Sequence, residues 1–250
     1  VGAGRDPGVN RRPDPPDLPP NLKEIHDRLL AAFGPQHWWP GDTPLEICVG
    51  AILTQNTAWV NVEKAIANLK GAGLLDGEEA SIERMLAMPD ADLAELIRPS
   101  GYFNLKAKRL KGFLRFVRDE FDGELAAMFR EPLDTLRPRL LAVYGVGPET
   151  ADSILLYAGD YPTFVVDAYT IRIMTRLGVV DEGITYHAMK ELFELALPPD
   201  PALFNEFHAL LVALGKDFCR PRGPRCGGCF LAADCAYIAN VDEPAYREIR

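Results

Sequence analysis

The stretch 140-LLAVYGVGPETADSILLYA-158 reads as a helix, a tight turn and a second helix. Gly145 and Gly147 are expected to supply positive φ and close backbone approach. Pro148 suits the first position of the second helix, where its missing N–H costs nothing, and Glu149 suits that helix's positive end. The N–H groups of such a turn point outward unpaired and can hold a phosphate of a DNA strand, although most Gly-x-Gly turns merely join two helices.

Outward from this turn the apolar spacing stays helical. Leu22, Ile25, Leu29 and Phe33 recur at three and four before Gly34 and Pro35 end the segment. Helices are expected over 44–54, 58–71, 80–88, 91–98, 104–120, 132–143, 148–158, 167–177, 184–196 and 200–215. No alternating run reaches strand length, so the chain reads as all-α, with 162-PTFVVD-167 as the one stretch fit to be extended. Residues 1–20 hold six prolines and three glycines, a composition expected to form a disordered leader.

At 250 residues and 48% hydrophobic content the chain can bury a sizeable core. Apolar runs such as 209-ALLVAL-214 are too short for a bilayer span, and no signal segment opens the sequence, which leads to the expectation of a cytoplasmic protein without membrane attachment. The net charge of −9 argues against a polyanionic partner only weakly, since affinity for nucleic acid depends on local clusters of cations and N–H groups.

Cys219, Cys226, Cys229 and Cys235 fall within 17 residues, at gaps of six, two and five. A zinc ribbon presents two tight pairs of ligands; here only one pair is tight. Four thiolates on one Gly- and Pro-rich loop also suit an iron–sulfur cubane, and Arg220, Arg222 and Arg225 between them can offset its charge or reach a phosphate. Cys48 stands alone in an apolar helix and reads as core. Asp167 follows an apolar run. It can cap the next helix, and beside a DNA-binding turn it can also stabilise cationic charge on a deoxyribose or activate water.

The order of these elements resembles the endonuclease III superfamily of DNA glycosylases: a hairpin with Gly-Val-Gly, then Val-Val-Asp, then the spaced cysteines, over residues 22–237. The resemblance implies an all-α, two-lobed fold with DNA bound between the lobes. One is a six-helix barrel ending in the hairpin (42–156). The other is an iron–sulfur lobe (21–41 and 157–240), followed by a tail at 241–250. It further implies Asp167 as catalytic carboxylate, Tyr144, Gly145, Val146 and Gly147 as the DNA grip, a [4Fe–4S] cluster on the four cysteines, and action as a monomer on double-stranded DNA containing a damaged base.

One departure is sharp. Bifunctional members carry a Schiff-base lysine where this chain has Glu149, and a carboxylate cannot form an imine with C1′ of the sugar. A monofunctional glycosylase is therefore expected, with a bifunctional glycosylase and abasic-site lyase, using Lys216 or another amine, and a catalytically weak DNA-binding module as the alternatives. The segments 36-QHWWPGD-42 and 53-LTQNTAW-59 look most like the 3-methyladenine glycosylase branch, in which Trp39, Pro40 and Trp59 would sandwich an extruded base. Both tryptophans can instead be core fillers, the reading preferred for Trp38. Gln55 and Asn56 either fill the gap left in the duplex or cap a helix end. Lys216 faces either the pocket or solvent. Lys106, Lys108, Arg109 and Lys111 resemble a segment that borders DNA, although an amphipathic surface would look the same.

Overall fold

The computed structural model describes residues 21–38 and 41–240, with no strand among them. Thirteen α-helices follow in order: α1 (Leu22–Phe33), α2 (Pro44–Leu53), α3 (Trp59–Gly71), α4 (Glu78–Ala87), α5 (Asp90–Leu96), α6 (Phe103–Phe121), α7 (Leu125–Met128), α8 (Leu133–Ala142), α9 (Pro148–Ser153), α10 (Ala168–Leu177), α11 (Tyr186–Ala196), α12 (Pro201–Asp217) and α13 (Ala236–Asn240). The all-α expectation holds. The leader and tail expected at 1–20 and 241–250, and Trp39 and Pro40, lie outside the described residues.

The chain divides into two compact units, one of 37–167 with 186–208 and one of 1–36, 168–185 and 209–250. Segments 157–167 and 186–208 thus belong to the first unit, where the buried Phe164 stacks on Phe193 at 3.9 Å and meets Phe204 and Phe207 edge-on. The apolar 163–166 run is buried but is neither strand nor helix.

In the first unit, α2 decides the packing. PLEICVGAIL has no polar face, and every residue from Leu45 to Leu53 is buried, as such a helix requires. Thr43 caps it, its Oγ1 accepting from the N–H of Glu46 at 3.2 Å, and Pro44 stands in the first turn. The amphipathic α6 lays Ala107, Leu110, Phe113, Leu114, Val117 and Phe121 against this core.

Two cations of α6 run against expectation. Lys106 and Lys111 are buried, because each satisfies carbonyls at the ends of neighbouring elements. Lys106 Nζ donates to the carbonyls of Leu53 and Ser100, both at 2.7 Å. Lys111 Nζ donates to the carbonyl of Met88 and pairs with Asp90 at 2.7 Å. Only Lys108 of the four is exposed. In the second unit, Phe33 of α1 packs on Phe218 and Phe230, and Arg28 pairs with Asp234 at 2.5 Å, which ties α1 to the cysteine-bearing loop.

Lys106→Met should destabilise the protein by roughly 1–3 kcal/mol for each carbonyl left without a donor, read as a lower urea midpoint at unchanged slope. Burial, and secondarily the charge of Arg109, push the Lys106 ammonium down from 10.5 to about 8. Between those values the unfolded chain holds the proton more tightly, so this lysine makes stability rise with pH across the window, and the substitution should remove that slope.

Candidate active site and cysteine loop

The hairpin forms as its sequence requires at one glycine and differently at the other. Gly145 has φ +84°, and a Cβ there would sit 2.2 Å from Cγ of Arg109, so the position admits only glycine. Gly147 does not use positive φ. It is the extended N-cap of α9 at φ −90°, and beyond its own chain neighbours nothing among the described residues comes within 4 Å of where a Cβ would lie. Val143 accepts the turn's hydrogen bond from the N–H of Val146 at 3.0 Å, Val146 is buried and Tyr144 is exposed.

Gln55 fastens this turn to the end of α2. Its Nε2 donates to the Gly145 carbonyl and to Thr150 Oγ1, both at 2.9 Å, while its Oε1 accepts from Arg109. The amide therefore does not cap its own helix. Asn56 beside it is exposed, in the left-handed region at φ +54°. These residues, with Thr54, Glu149 and Tyr186, line a cavity of about 600 Å³ that neither Asp167 nor Trp59 borders.

Asp167 ends the buried 163–166 run and directly precedes α10, with 14% of its side chain exposed. Its Oδ2 lies 3.5 Å from Nε2 of the buried His208, on α12. The other ring nitrogen, Nδ1, is 2.7 Å from the Tyr157 hydroxyl. Tyr157 sits in a π-helical turn over Ile154–Ala158, where a single helix through 158 was expected. The helix widens ahead of Gly159, whose missing side chain admits the rings of Phe129 and Tyr161, each 2.7 Å from where a Cβ would be. The ring of Trp38 stacks on His208 at 5.4 Å and meets Tyr157 edge-on at 5.3 Å, consistent with its reading as a packing residue.

Glu149 is exposed at the cavity wall, yet enough protein surrounds it that lost hydration, followed by the charge of Asp167, raises its carboxyl above the ordinary glutamate range, with His208 partly opposing. Burial, and then the charges of Asp167 and Glu149, hold the Tyr157 phenol well above its usual value, so it stays protonated. A second polar knot supports the hairpin from behind. The fully buried Asp152 of α9 takes both arms of Arg137 at 2.8 and 2.9 Å, Thr163 at 3.1 Å and the Tyr186 hydroxyl at 2.8 Å.

Trp59, half-buried at the start of α3, lies over Gly50, where a Cβ would meet its ring at 3.3 Å. Cys48 is buried, and burial pushes its thiol far up. Lys216, in the last turn of α12, is exposed. Sequence reasoning missed His208 and Tyr157, and named Arg109 only as one cation of a segment resembling a DNA border. The signal for the first two was a polar group inside an otherwise apolar helical run, a pattern more often explained by a satisfied core residue.

In the second unit the four cysteines are unpaired and half-buried. Burial, with the neighbouring Cys235, Cys219 and Cys226 adding, pushes the Cys229 thiol up to about 11. Arg176 reaches Cys219 Sγ at 3.5 Å and the Arg220 carbonyl at 2.7 Å, and Arg172 donates to the Cys219 carbonyl at 2.8 Å. Among the described residues no three His, Cys, Asp or Glu side chains gather closely enough for a single metal ion. A cubane takes one thiolate at each of four separate irons, so its donors do not converge on one point. Four soft donors on a short loop, with an arginine against one sulfur, fit such a group.

Residues 49–199 match the HhH-GPD superfamily of base excision DNA repair proteins. A Methanocaldococcus jannaschii protein bearing the name DNA repair glycosylase is 49% identical over 216 residues, 86% of this chain and 95% of its own length. The H. pylori 3-methyladenine DNA glycosylase bound to 1,N6-ethenoadenine is 30% identical, with a TM-score of 0.71 over 78% of this chain and 97% of that one. A trapped endonuclease III–DNA covalent intermediate has a TM-score of 0.74 over 92% and 97% of the two chains at 20% identity, a likeness of fold. With residues 49–199 matched by the family and a 49%-identical relative covering 86% of its length, the chain belongs to the HhH-GPD superfamily of base excision DNA repair proteins.

Proposed function

We propose that this protein is a monofunctional DNA glycosylase that hydrolyses the N-glycosidic bond of a damaged base in double-stranded DNA, with Asp167 as its catalytic carboxylate. The setting of Asp167 carries the reading: a partly exposed carboxylate at a helix start, 3.5 Å from a buried imidazole and near enough to Glu149 to resist its ionisation. Extrusion of the nucleotide brings C1′ to this carboxylate. As the C1′–N bond breaks, its electron pair leaves with the base, and the ionised Asp167 stabilises the positive charge growing on the sugar. Water then adds to C1′ and gives up a proton to Asp167 or to solvent.

Glu149 stands where bifunctional relatives carry their lysine, and Lys216 is exposed, so no amine is assigned to imine chemistry. An alkylated purine is the favoured substrate. It is already cationic, so it departs neutral and needs no acid behind it, and aromatic faces such as that of Trp59 attract it. The H. pylori relative named for 3-methyladenine supports the same class. In this reading Trp39 and Pro40 complete the sandwich, and Tyr144 to Gly147 with Gln55 and Asn56 meet the DNA.

A screen of duplexes carrying single 3-methyladenine, thymine glycol, uracil or abasic sites should show release of the alkylated purine without strand cleavage before alkaline work-up. Release of thymine glycol alone would overturn the pocket assignment. Asp167→Asn should slow release by at least about a hundredfold while leaving the fold intact; wild-type turnover in that variant would remove Asp167 from the chemistry.

Borohydride should trap no adduct of the wild-type protein on abasic DNA, whereas Glu149→Lys should acquire one. A trapped wild-type adduct would establish the bifunctional alternative.

Cys219, Cys226, Cys229 and Cys235 would hold a [4Fe–4S] cluster. Once bound, it supplies four iron–thiolate bonds that staple the 219–235 loop, and Arg176 would then donate toward a cluster-bound sulfur. Anaerobically purified protein should be brown with about four irons per chain, and Cys226→Ser should lose both; a colourless wild-type protein holding one zinc would refute the assignment.

A further inference from the structure

We infer that His208 is a positioning residue for Asp167, with its ring oriented by Tyr157 so that an Nε2–H bond faces the carboxylate. The inference rests on the reading of Asp167 as the catalytic group, and goes beyond it by identifying what fixes that group's orientation.

His208 is 4% exposed on α12, inside an apolar run of Phe207, Ala209, Leu210 and Leu211. An imidazole buried there must satisfy two nitrogens. Nδ1 does so with the Tyr157 hydroxyl at 2.7 Å. Nε2 has no hydrogen-bond partner among the described residues, and Asp167 Oδ2 lies 3.5 Å from it.

The proton positions follow from the neighbours. If Nδ1 carried the proton of the neutral ring, Nε2 would present a lone pair to a carboxylate, which is repulsive. With the proton on Nε2, Nδ1 accepts from Tyr157 and Nε2–H faces Asp167, so both contacts attract. The phenol can play this part because it remains un-ionised between the buried ring and two carboxylates. Protonating the ring leaves Nε2–H in place and turns the Tyr157 contact round, with the hydroxyl oxygen accepting.

Three further features hold the ring. Trp38 stacks on one face at an interplanar angle of 24°, Phe164 meets it edge-on at 6.5 Å, and the Tyr157 bond prevents it from flipping. The titratable groups facing the imidazole are Asp167, before α10; Tyr157, in the π turn; and Glu149, on α9. A carboxylate this close to a fixed N–H loses rotational freedom before substrate arrives, which is how an orienting partner raises the efficiency of a reacting group.

Two measurements on the anaerobically purified protein test this. Nitrogen-15 imidazole spectra should show His208 as the Nε2–H tautomer at neutral pH. An Nδ1–H tautomer would overturn the inference, and this readout needs no turnover.

In single-turnover release from a duplex carrying 3-methyladenine, His208→Leu should be slower by roughly tenfold to a hundredfold. His208→Gln, whose amide can still donate toward Asp167, should recover part of the loss. Tyr157→Phe should be slower too, and non-additive with His208→Gln. Affinity for a duplex with an abasic analogue should stay constant throughout. Equal rates for His208→Leu and wild type, with Asp167→Asn inactive, would defeat the His208 inference alone. A fully active Asp167→Asn would instead defeat the reading beneath it.

Discussion

A helix with no polar face must go to the middle of its unit, and the backbone groups at its ends then need partners supplied by the protein. That demand on α2 organises the larger unit. The ammonium of Lys106 serves the Leu53 carbonyl, and the amide of Gln55, two residues on, runs to the hairpin 90 positions away. The hairpin is thus held by the end of the most buried helix, and α9 behind it is anchored through Asp152 to Arg137, Thr163 and Tyr186. What projects from this frame, namely Tyr144, the open side of Gly147 and Glu149, rests on groups that are already satisfied.

The site combines two kinds of environment. Around His208 the surroundings are apolar and aromatic, and polar atoms are few and directed. At the cavity wall by Glu149 solvent is present, and the carboxyl is raised by lost hydration and by Asp167 together. Asp167 lies beside His208 and outside that cavity's lining, buried enough for its charge to be felt by Glu149 and with 14% of its side chain exposed.

Much of the fold was legible in sequence because some helix boundaries carry their own chemistry: Pro148 in the first turn of α9 and Gly34 after α1. The apolar 163–166 run, by contrast, is fixed by the stacked rings of Phe164 and Phe193, a contact between distant segments that no local pattern reveals. The cations of α6 misled for a similar reason. A lysine that serves a distant carbonyl looks in sequence like a lysine in water. His208 and Tyr157 were hidden because each sits in a run whose neighbours are all core, so only coordinates show that their polar atoms meet. Asp167 and Glu149 were singled out through the resemblance that the hairpin and the Val-Val-Asp run carry, but their influence on each other was not readable.

Gly145 has a consequence for how this sequence can change. Any side chain there would occupy the space of Arg109, and moving Arg109 would take from Gln55 the hydrogen bond that its Oε1 accepts. Three positions from three separate segments therefore behave as one unit of inheritance. A drifted lineage should replace all three or none, and grafting this hairpin onto another helical scaffold would fail unless the arginine and glutamine travelled with it.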